Sequence, residues 1–395
     1  MPVPQVKNYA YTTLITRASY LAGVIILAHT LKKQGSRYPL LVYYTKSLER
    51  DAVRVLELQA TKLNLILKPV DFLLPPSNVE VHLIAERFGD TWTKLRVFDC
   101  IEYDAVCYLD ADMAIYRNMD EIFSHAERLP KDWLAANHAC VCNLERDAWA
   151  PEDWKPENCA YTPVEHPGAL THPTQQSPDS RPTWHLLNGG MFLYHPSRDL
   201  WNDMINYFNK SDKLGTYKFP DQDFLADYFR NRWMSLGWQY NALKTMRYWH
   251  PNIWRDEEVR CLHYIVDKPW AKHVVNGVAG YRGNDGETHT WWWNEFDDWR
   301  RAREEDGDTE VLELIGKGAH MATKDGSENE HADMKAISSS VQAFAKNKIP
   351  EKMKVNAVTP KNDENGLPRP GDDSLRPRIL GERGHGPVAN GFGKQ

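Results

Sequence analysis

Tyr103-Asp-Ala-Val-Cys-Tyr-Leu-Asp-Ala-Asp-Met-Ala-Ile-Tyr116 is an apolar run interrupted by two carboxylates one residue apart, Asp110 and Asp112. The β-forming residues before Asp110 read as a buried strand, and the two acids stand at its carboxyl end. Ligands of open α/β sheets gather at that end of the strands. Two carboxylates held so close repel each other unless they share a cation or a proton. One reading is therefore a metal site. The other is that one Asp caps the following turn while its neighbour is solvated, and an Asp-x-Asp triplet alone does not decide between them.

Upstream, residues 9 to 16 and 40 to 45 are short β-rich runs, and Tyr20 to Lys33 between them has the length and periodicity of a helix. Leu48 to Asn64 repeats the helical pattern, Leu65 to Val70 reads as a strand, and Pro75-Pro76 ends it. Such alternation implies a parallel, right-handed α/β sheet. No Gly-x-Gly-x-x-Gly follows the first strand, which argues against the usual dinucleotide fingerprint. Trp92 to Glu102, carrying Lys94 and Arg96, reads as the helix that delivers the chain into the Asp110 strand.

Downstream, a strand is expected near Trp133 to Ala136, followed from about 142 to 184 by a Pro- and Trp-rich stretch with little periodicity. That stretch reads as a structured insertion on the open side of the sheet, and loops of such length are commonly functional. Leu186 to Tyr194 is another strand, entered through Asn188-Gly189-Gly190, where paired glycines let a ligand or a second backbone come close. Asp199 to Asn209 is helical. Phe219-Pro-Asp-Gln-Asp-Phe224 opens a further helix, in which Asp221 and Asp223 read as caps unless something else claims them. Val259 to His263 is the last expected strand, and Lys268-Pro269-Trp270 follows it, a lysine placed to meet an anionic phosphate. Trp291-Trp292-Trp293 and Trp299 lie in an expected helix that packs as a lid over the sheet, although an exposed aromatic there can also stack on a sugar ring. The domain is expected to span 1–303, with 304–395 a mostly disordered tail holding at most one helix near Asp333 to Lys346.

The 395 residues carry a net charge of -6, 48 basic against 54 acidic, which leaves no electrostatic footprint for nucleic acid. The longest apolar stretch, Tyr20 to Leu31, is far short of the ~20 residues that span a bilayer, so no membrane partner is expected. Six scattered cysteines, with Cys107 in the core strand, suggest reduced thiols and a cytoplasmic protein. His138, Cys140, Cys142 and Cys159 form the tightest thiol and imidazole group, but Cys-x-Cys is not a usual zinc-finger spacing.

Taken together, these segments resemble glycosyltransferase family 8 over about residues 9 to 300, closest to the galactinol synthases within it and more distantly glycogenin. The motifs come in the family's order: Thr16 and Tyr20, Thr93-Lys94-Leu95, Asp110-Ala111-Asp112, Asn188-Gly189-Gly190, Asp221-Gln222-Asp223, Tyr240-Asn241, and His263 with Lys268-Pro269-Trp270. The galactinol synthase likeness rests on Tyr240-Asn241-Ala-Leu, Trp249-His250-Pro251, His263-Tyr264 and the Cys140 to Cys142 loop.

The resemblance implies a single nucleotide-sugar-binding, Rossmann-like domain of the GT-A type with a central mixed sheet. It implies Mn²⁺ held by Asp110, Asp112 and His263, and a UDP-sugar contacted by Thr16, Tyr20, Lys94, Ala111, Gly189, Gly190 and Lys268. Asp221, Gln222 and Asn188 would serve the reaction, a retaining transfer from UDP-galactose to a small polyol or carbohydrate acceptor such as myo-inositol. Glutamine is a poor nucleophile, which favours same-face attack over double displacement. A homodimer, a glycogenin-like use of UDP-glucose and a sugar-nucleotide binder without turnover stay open. The segment from His263 to Lys268 is short, and Ile265-Val266-Asp267 replaces the glycine usual there, at which a backbone amide would meet the diphosphate.

Overall fold

A computed structural model describes residues 7–76, 86–147, 150–177, 179–280 and 282–318. In chain order the strands are β1 (Tyr9–Ile15), β2 (Leu40–Thr45), β3 (Leu65–Val70), β4 (Ala105–Leu109), β5 (Met113–Ile115), β6 (Leu134–His138), β7 (Leu187–Tyr194), β8 (Trp233–Ser235), β9 (Ala242–Leu243) and β10 (Cys261–His263). The helices are α1 (Leu21–Lys33), α2 (Arg50–Gln59), α3 (Gly168–Thr171), α4 (Arg198–Lys210), α5 (Pro220–Tyr228), α6 (Met246–Trp249), α7 (Gly286–Glu305) and α8 (Thr309–Gly318).

Seven strands form the main sheet in the order β3-β2-β1-β4-β7-β6-β8. The expected parallel pairing holds from β3 to β4, and β7 then enters antiparallel to both β4 and β6, which makes the sheet mixed. Its two faces follow the two-residue period of a strand. Tyr11, Cys107, Leu109 and Leu193 face one core with α1, α2, α7 and α8. Ala10, Val106, Tyr108, Phe192 and Tyr194 face the other, with Trp92, Phe98, α4 and α5. Burial on both faces explains the almost continuous apolar runs of β2 and β4. α1 lies between sheet and α7 and is buried nearly all round, so its sequence carries no polar face.

A second, three-stranded sheet, β5-β10-β9, was not expected. β5 is only three residues long and β9 two, too short for a periodic signal. Its effect is positional: β10 runs antiparallel to β5 with His263 opposite Met113, which brings the end of β10 to the acids that follow β4.

Two further expectations change. The stretch expected as a helix from Trp92 to Glu102 winds as 3₁₀ turns over Glu86–Asp99. Trp92, Thr93, Lys94 and Leu95 are all buried in succession, whereas an amphipathic α-helix would turn one of four outward. The packed chain also continues beyond 303, where composition placed the end of the domain. α8 lays Val311 and Ile315 into the core against α2, and Arg303 is itself buried against Gln59 and Asp308. The expected tail beyond 318, with its helix near Asp333 to Lys346, lies outside the described residues.

A candidate metal and sugar-nucleotide site

β4 ends at Leu109, and Asp110 and Asp112 follow in the turn that starts β5. Asp110 N donates to Gly190 O at 2.8 Å and Tyr264 N donates to Asp112 O at 2.9 Å, so the triplet is fixed by backbone from β7 and from the residue after β10. His263 completes the group. Its Nε2 lies 3.3 Å from Asp112 Oδ1 and 3.8 Å from Asp110 Oδ2, and one ligand atom from each residue falls within a 4.8 Å span.

The protonation of that ring follows from a chain of hydrogen bonds. Gly190 N–H can only donate, and it reaches Asn188 Oδ1 at 3.1 Å. Asn188 Oδ1 also accepts from Asn241 Nδ2 at 2.9 Å, which turns Asn241 Oδ1 toward His263 Nδ1 at 2.9 Å. Nδ1 therefore carries the proton, and in the neutral ring Nε2 points a lone pair at two carboxylates. Three electron-rich atoms facing one another fit a cation between them, so the residues present suit a divalent ion. Gly190 is required for this packing. A Cβ there would lie 2.7 Å from His263 Nδ1 and closer still to Cε1.

The other carboxylate oxygens are taken by lysines. Lys268 Nζ donates to Asp112 Oδ2 and, at 2.9 Å, to Tyr264 O. Lys94 Nζ lies 3.0 Å from Asp110 Oδ1 and also pairs with Asp221 Oδ2, while Tyr108 OH donates to Asp110 Oδ1 at 2.6 Å. Burial by itself lowers the Lys94 pKa, but Asp110 and Asp221 together more than reverse it, and its pKa lies above the ordinary value. Burial raises the Asp110 carboxyl, whereas for Asp112 the charge and hydrogen bond of Lys268 overcome burial and hold it well below the usual range.

α5 begins beside this group. Asp223 holds the chain entering the helix: its Oδ2 accepts from Lys218 N at 2.8 Å and Phe219 N at 3.0 Å. Asp221 does not share that role, and its carboxylate turns to Lys94. Gln222 Oε1 accepts from Gly189 N at 3.2 Å and from Asn188 Nδ2 at 3.3 Å, so the amide oxygen faces the β7 backbone. Tyr20 stands on the other flank, edge-on to Trp270 with centroids 5.8 Å apart and with Lys268 Nζ 5.9 Å from its ring centre. Ala111 is buried against α1, where Gly23 leaves room for its carbonyl. Thr16 lies half-buried just past β1, at the same end of the sheet.

Two groups escaped sequence reading. Lys244 is almost wholly buried. It pairs with Asp285 at 2.7 Å and donates to Asp267 O at 3.0 Å, which ties down the segment between His263 and Lys268. A single lysine after a two-residue strand gives no sequence signal. The other is His250, which, and not His138, meets Cys140, Cys142 and Cys159; His138 bonds Thr174 O at 2.9 Å instead.

Glycosyl transferase family 8 matches residues 12–273, about two thirds of the sequence. The chain belongs to that family. Galactinol synthase 1 of Arabidopsis thaliana is 27% identical over 304 residues, covering 75% of this chain and 81% of that one. Galactinol synthase 2 of Solanum lycopersicum is 26% identical over 337 residues, covering 84% and 89%. Among solved structures, the apo bifunctional glycosyltransferase WbbM aligns at 14% identity with a TM-score of 0.49, covering 75% of this chain; the chain spans 52% of that protein's length. Family 8 membership makes the protein a glycosyltransferase. No helix among the described residues is long and apolar enough to cross a membrane.

Proposed function

We propose that the protein is a retaining hexosyltransferase that moves galactose from UDP-galactose to a hydroxyl of a small polyol, myo-inositol first among them. The observation that carries this reading is the convergence of Asp110 Oδ2, Asp112 Oδ1 and His263 Nε2, beside two buried lysines, in a family 8 chain. The choice of galactose and inositol is supported by the galactinol synthase relatives.

Asp110, Asp112 and His263 would hold the divalent ion, and Mn²⁺ suits carboxylate and imidazole donors together with phosphate oxygens. When bound, the ion supplies Lewis-acid neutralisation of the charge that develops on the leaving diphosphate. Lys268 adds a fixed positive charge beside it, and Tyr20, with Thr16 nearby, offers a face for the uracil. Asp221 would face the positive charge that builds at the anomeric carbon, and its pairing with Lys94 holds that carboxylate in place. Gln222, with its oxygen claimed by Gly189 and Asn188, positions Asn188 and the β7 backbone against the sugar. Attack from the same face as departure is the favoured course, because the Gln222 amide is a poor nucleophile and the Asp221 carboxylate is engaged by Lys94. Six cysteines without disulfides support a reducing, cytoplasmic setting.

The test is UDP release in the presence of Mn²⁺ and a panel of UDP-sugars, with and without myo-inositol. The expected result is inositol-dependent turnover of UDP-galactose that Asp112→Ala abolishes. Turnover of UDP-glucose alone, with glucose found on the protein, would replace this reading by a glycogenin-like one. Tight UDP binding with no turnover on any donor would leave a binder.

A further inference from the structure

Cys140 and Cys142 follow β6, Cys159 follows the turn at Pro156–Asn158, and His250 ends α6. These residues are far apart in sequence, yet their ligand atoms fall within 4.8 Å of one another. His250 Nε2 lies 3.2 Å from Cys140 Sγ, 3.4 Å from Cys142 Sγ and 3.7 Å from Cys159 Sγ, and Cys140 and Cys159 Sγ are 4.0 Å apart. One ring nitrogen has a single lone pair or a single proton, so hydrogen bonding accounts for one of those three contacts at most. A tetrahedral ion with Zn–S of about 2.3 Å and Zn–N of about 2.05 Å requires sulfur pairs about 3.8 Å apart and sulfur to nitrogen distances of about 3.6 Å. The three sulfur to nitrogen distances bracket the second value, and the Cys140 to Cys159 distance lies close to the first. Cys142, Cys159 and His250 are buried, as a closed structural site requires.

The geometry assigns these residues as a structural zinc site of the Cys₃His type, separate from the Asp110, Asp112 and His263 group. The donors differ in kind: three thiolates and an imidazole select zinc, whereas two carboxylates and an imidazole select a harder ion. The site has a clear mechanical role. The stretch from 139 to 186 has few regular elements and little periodicity, and the metal would join three points in it and beside it: the end of β6, the insertion, and the α6 to β10 connection. Neighbouring bonds follow the same path. Asn252 Nδ2 donates to Tyr161 O at 3.0 Å and Val164 O at 2.7 Å, and His166 N donates to Asn252 O at 3.0 Å. Within this insertion Trp154 stacks on Phe219, the residue that precedes α5 and its Asp221. Zinc would therefore fix the wall beside the proposed sugar site without touching the reacting atoms.

The test is elemental analysis of the full-length protein, purified without chelator, together with thiol titration. The expected result is one zinc per chain, with Cys140, Cys142 and Cys159 unreactive until a chelator or a mercurial releases the metal. Cobalt in its place should show intense sulfur-to-metal charge-transfer bands and tetrahedral ligand-field bands. Cys159→Ser and His250→Gln should lose the metal, while Asp112→Ala, which removes only a ligand of the other group, should keep it. Should either cluster variant fail to fold, the wild-type metal content and thiol reactivity still decide. A metal-free wild-type protein with these thiols freely reactive, or with Cys140 and Cys159 joined as a disulfide, would overturn the assignment. So would zinc that leaves in Asp112→Ala and stays in Cys159→Ser.

Discussion

Gly190→Ala is the change that most directly probes how the site is built. Gly190 has an ordinary negative φ, so alanine there adds no backbone strain and the effect is steric alone. The added Cβ would stand 2.7 Å from His263 Nδ1 and 3.0 Å from Asn188 Oδ1. Non-bonded carbons settle at about 3.5–4.0 Å, so the imidazole must retreat by roughly 1 Å. That retreat breaks its 2.9 Å bond to Asn241 and withdraws Nε2 from the two carboxylates. Overpacking of this kind costs about 1–3 kcal/mol of stability, and loss of ligand support costs about 10–100-fold in metal affinity. Calorimetric titration with Mn²⁺, in the presence of UDP, reads the second effect, and thermal melting reads the first. Gly189→Ala is the control, because its Cβ meets Gln222 at 3.2 Å, a contact relieved by shifts of a few tenths of an ångström, and it should keep wild-type ion affinity. A Gly190→Ala protein that binds Mn²⁺ as tightly as wild type would refute the placement of His263 in the ion site.

Val266 has φ +65°, in the left-handed region that is an outlier for a β-branched residue. Val266→Gly should therefore raise stability by roughly 0.5–1 kcal/mol, the ~1–2 kcal/mol of strain less the entropy cost of glycine; an unchanged or lower melting temperature would show that the valine is not strained. Relative to truncation after 318, truncation after 303 removes buried Val311 and Ile315 and should cost several kcal/mol at about 1.5–3 kcal/mol each. Equal melting temperatures for the two truncations would mean α8 adds nothing. His29 is pushed down from 6.5 to about 4, by burial first and by Lys33 second. Below pH 6.5 the unfolded chain takes a proton that the fold refuses, so stability should fall between pH 6.5 and 4. The loss is about 1–2 kcal/mol after discounting for partial exposure, and His29→Gln should lack that portion of the slope in urea titrations at several pH values.

The parts of the fold readable in advance are those with a period. Continuous apolar runs bounded by turn residues located β1 to β4, β6 and β7 within one or two residues, the helix expected from Asp199 begins one residue earlier, and Pro220 opens α5 as expected. Elements without a period were not readable. β5, β9 and the 3₁₀ turns at Glu86–Asp99 exist because neighbours pack around them, and no alternation records that. The candidate site divides in the same way. Asp110, Asp112 and His263 stand at strand ends where ligands gather, but the ion pair between Lys94 and Asp221 joins residues 127 positions apart, and nothing local announces it. Asp221 and Asp223 share one local sequence signal, yet Asp223 bonds the backbone that enters α5 and Asp221 pairs with Lys94. The approach of His250 to Cys140, Cys142 and Cys159 is hidden for the same reason, because local spacing links only the cysteines and the fold brings His250 from another segment.

The charges of the site explain why a cation and a diphosphate would enter as a pair. Among the described residues, Asp110, Asp112 and Asp221 pair with Lys94 and Lys268, which leaves one negative charge among groups that are mostly buried. A divalent ion bound without a partner would turn that into one positive charge in a poorly solvated place, and a diphosphate bound alone would bring further negative charge against Asp110 and Asp112. Each is disfavoured alone, and each removes the cost of the other. Affinity for one must then rise when the other is present, by the same factor in both directions. The lysines already hold the outer carboxylate oxygens, so Asp110 Oδ2 and Asp112 Oδ1 keep their aim at His263 Nε2 before anything binds, and little reorganisation is needed when the pair arrives.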